Sequence, residues 1–190
     1  MEPKSLFTTK TIVLTALLAA LTVVGSALRI TLPIDIGGGN ASFHLGNILC
    51  ALSGILLGPG LGALAAGLGS AIYDLFNPAY ISEAWLTFLM KAAYGLCAGL
   101  VIRCGKERWG YVRAVLASAA GALAYAALYL AKSYYYSGLF LGGLTEDAAV
   151  LSVIGKLPAT AFNAAVAVVF APILAVSIRS ALEKSHLSLN

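Results

Sequence analysis

Three lysines carry the chemistry that this chain makes available. Lys91, Lys132 and Lys156 each fall inside a long apolar stretch, whereas the other nine of its twelve basic residues lie outside such stretches. An ammonium group in hydrocarbon costs a few kcal/mol or more, so it is tolerated where it faces a cavity or a partner. Three of them, on three segments at similar depth, predict one pocket for a polar guest, and their charge favours an anionic one.

Helical spacing adds neighbours to each lysine. Thr87, Lys91 and Gly95 share one face; so do Tyr125, Tyr129, Lys132 and Tyr136; so do Ser152, Lys156, Thr160 and Asn163. His44 and Asn47 stand one turn apart at the start of another apolar segment, and Asp74, ahead of Asn77-Pro78, ends a further one. An irregular stretch contributes Asn40 and the run Gly37, Gly38, Gly39, whose few steric limits suit a lid over the pocket. The candidate binding residues are thus Asn40, His44, Asn47, Asp74, Thr87, Lys91, Tyr125, Tyr129, Lys132, Lys156 and Asn163.

Plainer roles compete with these. Lys132 lies close to its helix end and can snorkel to the interface. Lys91 and Lys156 can pair with Asp74 or Glu83 as structural ion pairs. His44 suits either a helix-start hydrogen bond or a ligand contact. Tyr134, Tyr135 and Tyr136 read as an aromatic belt rather than a stacking platform. Arg29 reads as a loop residue rather than a gate.

The elements that must position these groups follow from composition. The chain is 60% hydrophobic and 11% charged, whereas a soluble domain carries about a quarter charged residues. Six apolar segments emerge, at about 11–28, 43–57, 61–76, 84–103, 111–136 and 150–178. They predict an all-α integral membrane protein, a compact bundle of six transmembrane helices forming a single domain over 1–190, since no polar linker divides the chain. TLPIDIGGGNAS, after the first segment, is too rich in Gly and Pro for a helix, and Gly58-Pro59-Gly60 is a tight reversal. The first apolar run, about eighteen residues, exceeds a signal-peptide core and is expected to remain as a helix.

Charge sets the orientation. With both termini cytoplasmic, the inner side carries Lys4, Lys10, Arg103, Lys106, Arg108, Arg113, Arg179 and Lys184, and the outer loops carry Arg29 against Asp35, Asp74, Glu83, Glu146 and Asp147. That is a positive-inside distribution, and it places all three buried lysines in the outer half of the membrane.

Small residues recur at helical spacing: Ala16 and Ala20; Gly62, Ala66 and Ser70; Ala63, Gly67 and Ala71; Gly95 and Gly99; Ala114, Ser118, Ala122 and Ala126. Such stripes let helix backbones approach closely in lipid. Most must pack internally, and one is available to dock another membrane protein.

Other function classes lack residues. The net charge of +4 forms no interleaved basic and aromatic face for nucleic acid. Cys50, Cys97 and Cys104 have no metal-ligand spacing and read as small packing residues. With two histidines, no metal triad or catalytic set can be assembled, and no cofactor is implied. The stretch from Gly99 to Lys106 has the wrong spacing for a phosphate loop and continues with Glu107, so no ATPase is expected in this chain.

The order of its motifs does match a known pattern. The Ala16/Ala20 pair, FHLGNI at Phe43 to Ile48, LLGPGLGALAAGLGS through the second turn, YDLFNP at Tyr73 to Pro78 and TFLMKAAYGL at Thr87 to Leu96 together resemble the substrate-binding S component of an energy-coupling factor (ECF) vitamin transporter, over nearly the whole chain. The resemblance implies a membrane subunit that binds a vitamin or related micronutrient near the outer surface. It also implies a loop over the pocket, here around Gly37 to Asn40. A transmembrane coupling subunit, contacted through Ala16 and Ala20, and two cytoplasmic ATPases would drive delivery in a prokaryotic plasma membrane.

Cargo is not fixed by this resemblance. The lysines favour pantothenate, another carboxylate vitamin, or a phosphorylated or acceptor-rich heterocycle, because charge pairing offsets the burial of ammonium groups. Riboflavin, a pyridoxine-type ring or a pyrimidine precursor stays open through the tyrosines, and a cation such as thiamine is disfavoured unless a carboxylate such as Asp74 enters the pocket. Two alternatives remain: a stand-alone secondary transporter, and a membrane enzyme using the buried lysines as acid, base or Schiff-base groups.

Overall fold

The computed structural model describes residues 8–31, 42–104 and 109–185. Six α-helices account for most of them: α1 Thr9–Ala27, α2 Gly46–Leu57, α3 Pro59–Leu75, α4 Ala84–Arg103, α5 Tyr111–Lys132 and α6 Glu146–Lys184. The chain is an all-α membrane protein apart from one short ribbon. Among the described residues, four helical stretches are long and apolar enough to cross a membrane, Thr9–Ala27, Ile81–Arg103, Tyr111–Leu141 and Glu146–Lys184. Large apolar side chains such as Leu17, Val24, Leu123, Phe162 and Val169 point outward, as lipid contact requires.

Local chemistry sets the ends. Thr8 and Thr11 form a reciprocal capping box at the start of α1, with Thr11 Oγ1 accepting from the Thr8 amide at 2.9 Å. Pro59 opens α3 at a position where its missing N–H has no helical partner to lose. Between α2 and α3, Gly58 turns the chain at φ 81°, and Arg103 donates across it to the Leu57 carbonyl at 3.2 Å. Thr145 caps α6, followed by Glu146 and Asp147 in the first turn, where carboxylates suit the positive end of the helix dipole.

Three features differ from the expectation. First, Arg29–Thr31 (β1) pairs antiparallel with Ser42–His44 (β2), in the register Arg29↔His44, Ile30↔Phe43, Thr31↔Ser42. The second segment, expected to be helical from 43, is extended there and becomes helical at Gly46, because the strand's backbone groups find partners in β1 and in Asn163 of α6. Second, α5 ends at Lys132 and a π-helical stretch, Ser133–Leu141, carries on into what reads as a loop. Third, α6 begins at Glu146, earlier than 150, and runs to Lys184 with Pro158 and Pro172 inside it, each removing one backbone hydrogen bond.

The centre is packed backbone against backbone. A Cβ at Gly54 of α2 would lie 2.5 Å from the Gly95 carbonyl oxygen of α4, one at Gly95 2.5 Å from the Gly62 carbonyl oxygen of α3, and one at Gly62 2.6 Å from the Gly54 Cα. These three glycines lock α2, α3 and α4 into one unit. Alanines fill the layers around it: Ala65, Ala66, Ala98, Ala114, Ala117, Ala167 and Ala171 are fully buried. Without a hydrophobic drive between helices in lipid, this close van der Waals fit holds the bundle. Ala16 and Ala20 of α1, in contrast, are exposed.

The unit predicts its own sensitivity. Gly95→Leu should destabilise the fold by about 3 kcal/mol or more, since inserted bulk usually costs ~1–3 kcal/mol and here it meets backbone. Gly60→Ala, with nothing within 4 Å of the added carbon, should be neutral. Thermal unfolding followed by size-exclusion chromatography in detergent separates the two, and equal stability of both variants would contradict the packing.

Candidate functional site

One polar cavity of about 390 Å³ opens where α3–α6 meet the β ribbon and the turns after α3 and α5. This is within the range of small-molecule sites, about 300–1,000 Å³. Lys91, Lys132 and Lys156 all line it. So do His44, Asn47, Asp74, Thr87, Tyr125, Tyr129 and Asn163. Of the eleven candidate binding residues, Asn40 lies outside the described residues, as do Gly37, Gly38 and Gly39 of the expected lid.

Lys91 anchors the inner end. Its side chain is 4% exposed, its ammonium donates to Asn47 Oδ1 of α2, and it sits 3.8 Å from the centroid of the Tyr125 ring of α5. A cation over an aromatic face is worth about 2 kcal/mol or more when desolvated. Tyr125 stacks in turn on Tyr94 and Tyr129, at centroid distances of 5.9 and 5.7 Å. Its ring is engaged by protein groups, so Tyr125 supports Lys91 more than it offers a face to a ligand. Asp74, 8% exposed, lines the cavity together with Thr87.

The other two lysines differ from each other. Lys132 forms an ion pair with Glu83, whose second oxygen accepts from Ser137 Oγ at 2.9 Å. This ties the turn before α4 to the π-helical stretch, so Lys132 is held by protein rather than snorkelling to the interface. The Lys156 ammonium has no hydrogen-bond or ion-pair partner among the described residues. Its neighbour Thr160 donates to the Lys156 carbonyl at 2.8 Å. Asn163 uses both ends of its amide on β2, accepting from the His44 N–H at 3.1 Å and donating to the Ser42 carbonyl at 2.8 Å. It fastens the ribbon to α6.

Several lining residues went unread in the sequence. Arg29, expected to be a loop residue, is on β1 and lines the cavity. Its guanidinium lies over the rings of Tyr73 and Tyr80, 5.1 and 5.0 Å from their centroids. The turn that makes this possible is legible in hindsight. Asn77 Oδ1 accepts from the Ala79 amide at 3.1 Å and Nδ2 donates to Tyr73 Oη at 3.2 Å, so the Asn-Pro turn folds Tyr80 back towards Tyr73. His44 is on β2, not in α2 as expected. Burial, with Lys91 and Arg29 nearby, holds its imidazole well below the ordinary histidine pKa, so it is neutral at pH 7. Tyr134, Tyr135 and Tyr136 are outside the cavity lining.

The lining carries four cations, Arg29, Lys91, Lys132 and Lys156, against two carboxylates, Asp74 and Glu83. Among the described residues no three His, Cys, Asp or Glu side chains converge as a metal set.

A family model described as ECF-type riboflavin transporter, S component, matches residues 6–180. The chain belongs to this family. An uncharacterised protein in the gap 3′ region of Pyrococcus woesei is 30% identical over 119 residues, covering 63% of this chain and 74% of that relative. The match to the S component runs through every element that lines the cavity, from β1 to α6. The chain is thus a membrane-embedded transport subunit.

The Lys132–Glu83 pair predicts a stability effect. Glu83→Ala alone should cost roughly 1–3 kcal/mol, by leaving a partly buried ammonium without its partner. Combining it with Lys132→Met should recover part of that loss. A double-mutant cycle on thermal unfolding in detergent tests this, and strictly additive effects would remove the coupling.

Proposed function

We propose that this S component captures an anionic or acceptor-rich micronutrient of vitamin type and passes it to an ATP-driven import complex. One observation carries the reading: a cavity of single-ligand size whose lining holds two more cations than carboxylates, with the Lys156 ammonium unpartnered among the described residues. Such an excess is unfavourable in a low-dielectric setting until a complementary group arrives. The family's description names riboflavin, a flat ring rich in carbonyl acceptors. The positive lining extends the expected class to carboxylate and phosphorylated vitamins.

The proposed arrangement is a single domain of six spans with both termini in the cytoplasm of a prokaryotic cell. The positive-inside distribution supports it, and it turns the cavity to the outside. The short α2 and α3, 12 and 17 residues, are then spans completed by tilt and by the turn they share. Binding would fall to His44, Asn47, Asp74, Thr87, Lys91, Tyr129, Lys132 and Lys156, with Tyr125 and Asn163 holding the first group in place and the segment containing Gly37 to Asn40 above them. The protein acts as a binding subunit and not as an enzyme. Energy would come from two cytoplasmic ATPases through a transmembrane coupling subunit. The exposed Ala16/Ala20 pair supports that docking face, since the stripes on α3, α4 and α5 are largely buried.

Native mass spectrometry of the protein purified from its host should reveal a retained small molecule of this class. Lys91→Met should weaken its binding tenfold or more, as expected for losing a charge-assisted contact of about 1.5–3 kcal/mol; unchanged affinity in a folded variant would take Lys91 out of the site. Ala16→Leu or Ala20→Leu should leave binding intact and abolish uptake in cells carrying the ATPase subunits. Uptake that persists after those subunits are deleted would favour a stand-alone transporter instead.

A further inference from the structure

The β ribbon brings two unused nitrogens to the cavity. Arg29 and His44 are direct cross-strand partners, so their side chains lie on the same face of the ribbon, and both line the cavity. Arg29 Nε and His44 Nδ1 are buried without a hydrogen-bond partner among the described residues. An unpaired buried donor is costly, and few persist without a purpose. No carboxylate among the described residues is within ion-pair distance of Arg29.

The surroundings of Arg29 define what it can accept. The guanidinium carbon lies over the Tyr73 and Tyr80 rings, 5.1 and 5.0 Å from their centroids. Contact with the two rings consumes none of the N–H groups of the fork in a hydrogen bond to a carboxylate. That fork carries five N–H donors and no acceptor, in a geometry that matches a carboxylate or phosphate in two parallel bonds. Contact with both rings restricts the side chain before cargo arrives, so less freedom remains to be lost on binding.

We propose that Arg29, in contact with the Tyr73 and Tyr80 rings and paired across the ribbon with His44, is the specificity-determining residue of this cavity and selects a cargo bearing an oxyanion, a carboxylate or a phosphate monoester. This rests on the reading of the cavity as a cargo site and narrows it. A neutral ring of the same shape leaves the Arg29 fork unpaired, and binds more weakly for that reason.

Matched pairs of probes differing by one oxyanion test the proposal: riboflavin and flavin mononucleotide, pantothenol and pantothenate, nicotinamide and nicotinate. Each is titrated calorimetrically into the full chain in lipid nanodiscs. In at least one pair the anionic member should bind at least about tenfold tighter, and Arg29→Gln should bring that ratio to within about threefold of one. Arg29→Lys, which keeps the charge and loses the fork, should fall between the two. Thermal unfolding of each variant verifies folding, and if Arg29→Gln does not fold, the Arg29→Lys ratio decides. Equal or tighter binding of the neutral member in every pair that binds, or a ratio unchanged in the variants, overturns the selection by Arg29 and leaves the cavity a cargo site. Binding of none of the six probes overturns the cargo reading and this proposal with it.

Discussion

An ammonium group placed among transmembrane helices has to be held by something, and the rest of the bundle is arranged around that requirement. Lys91 meets it with an amide oxygen from α2 and an aromatic face from α5. Lys91 and its two partners lie on three helices, so the arrangement exists only if α2, α4 and α5 converge at one depth. The glycines achieve the first half of this: Gly54, Gly62 and Gly95 bring α2, α3 and α4 to backbone contact. The second half is aromatic. A Cβ at Gly121 of α5 would lie 2.5 Å from Tyr94 Cδ2 of α4, so α5 seats directly on Tyr94, and the Tyr94–Tyr125–Tyr129 stack grows from that contact towards the cavity.

What was legible in the sequence follows from how far each signal reaches. Lys91, Lys132 and Lys156 were readable because charge inside an apolar run is rare and its cost is local, roughly 2.5–3.5 kcal/mol per residue at a helix centre. Helical faces extended that reading to Thr87, Tyr129 and Asn163. The ribbon was not readable. Strands of three residues have no periodicity to detect, and β1 and β2 are specified by partners far along the chain, with Asn163 some 119 residues from His44. Arg29 was misjudged for the same reason, since the two tyrosines that hold it follow α1 by an entire helical pair. The π-helical stretch after Lys132 was likewise hidden, because SGLFLGG has the composition of a loop.

The small-residue stripes show where a sequence signal stops deciding. Gly62, Ala66 and Ser70 on α3 and Ala16 and Ala20 on α1 have the same spacing, and spacing alone cannot assign either to the interior. In the structure the α3 stripe is buried and the α1 pair is exposed. The difference arises because α3 packs against both α1 and α4, whereas α1 presents only one side to the bundle through Leu18, Ala19, Thr22 and Gly25. A helix with one committed face has another free, and small side chains there permit close approach by a helix from another protein.

The two halves of the molecule divide the work between rigidity and recognition. Helices α2, α3 and α4 meet through glycine backbones, which tolerate no enlargement and so vary little in shape. The cavity rim is built differently, from a two-stranded ribbon, an Asn-Pro turn and a π-helical stretch, joined by Asn163, Arg29 and the Lys132–Glu83–Ser137 cluster. Each joint is a side-chain contact, and each side chain can be exchanged without moving a helix axis. A scaffold of this kind keeps its lipid-facing shape, and hence any docking face on α1, constant while the rim residues change. Under the proposed function, the face offered to partners and the chemistry offered to cargo fall on different parts of one small bundle.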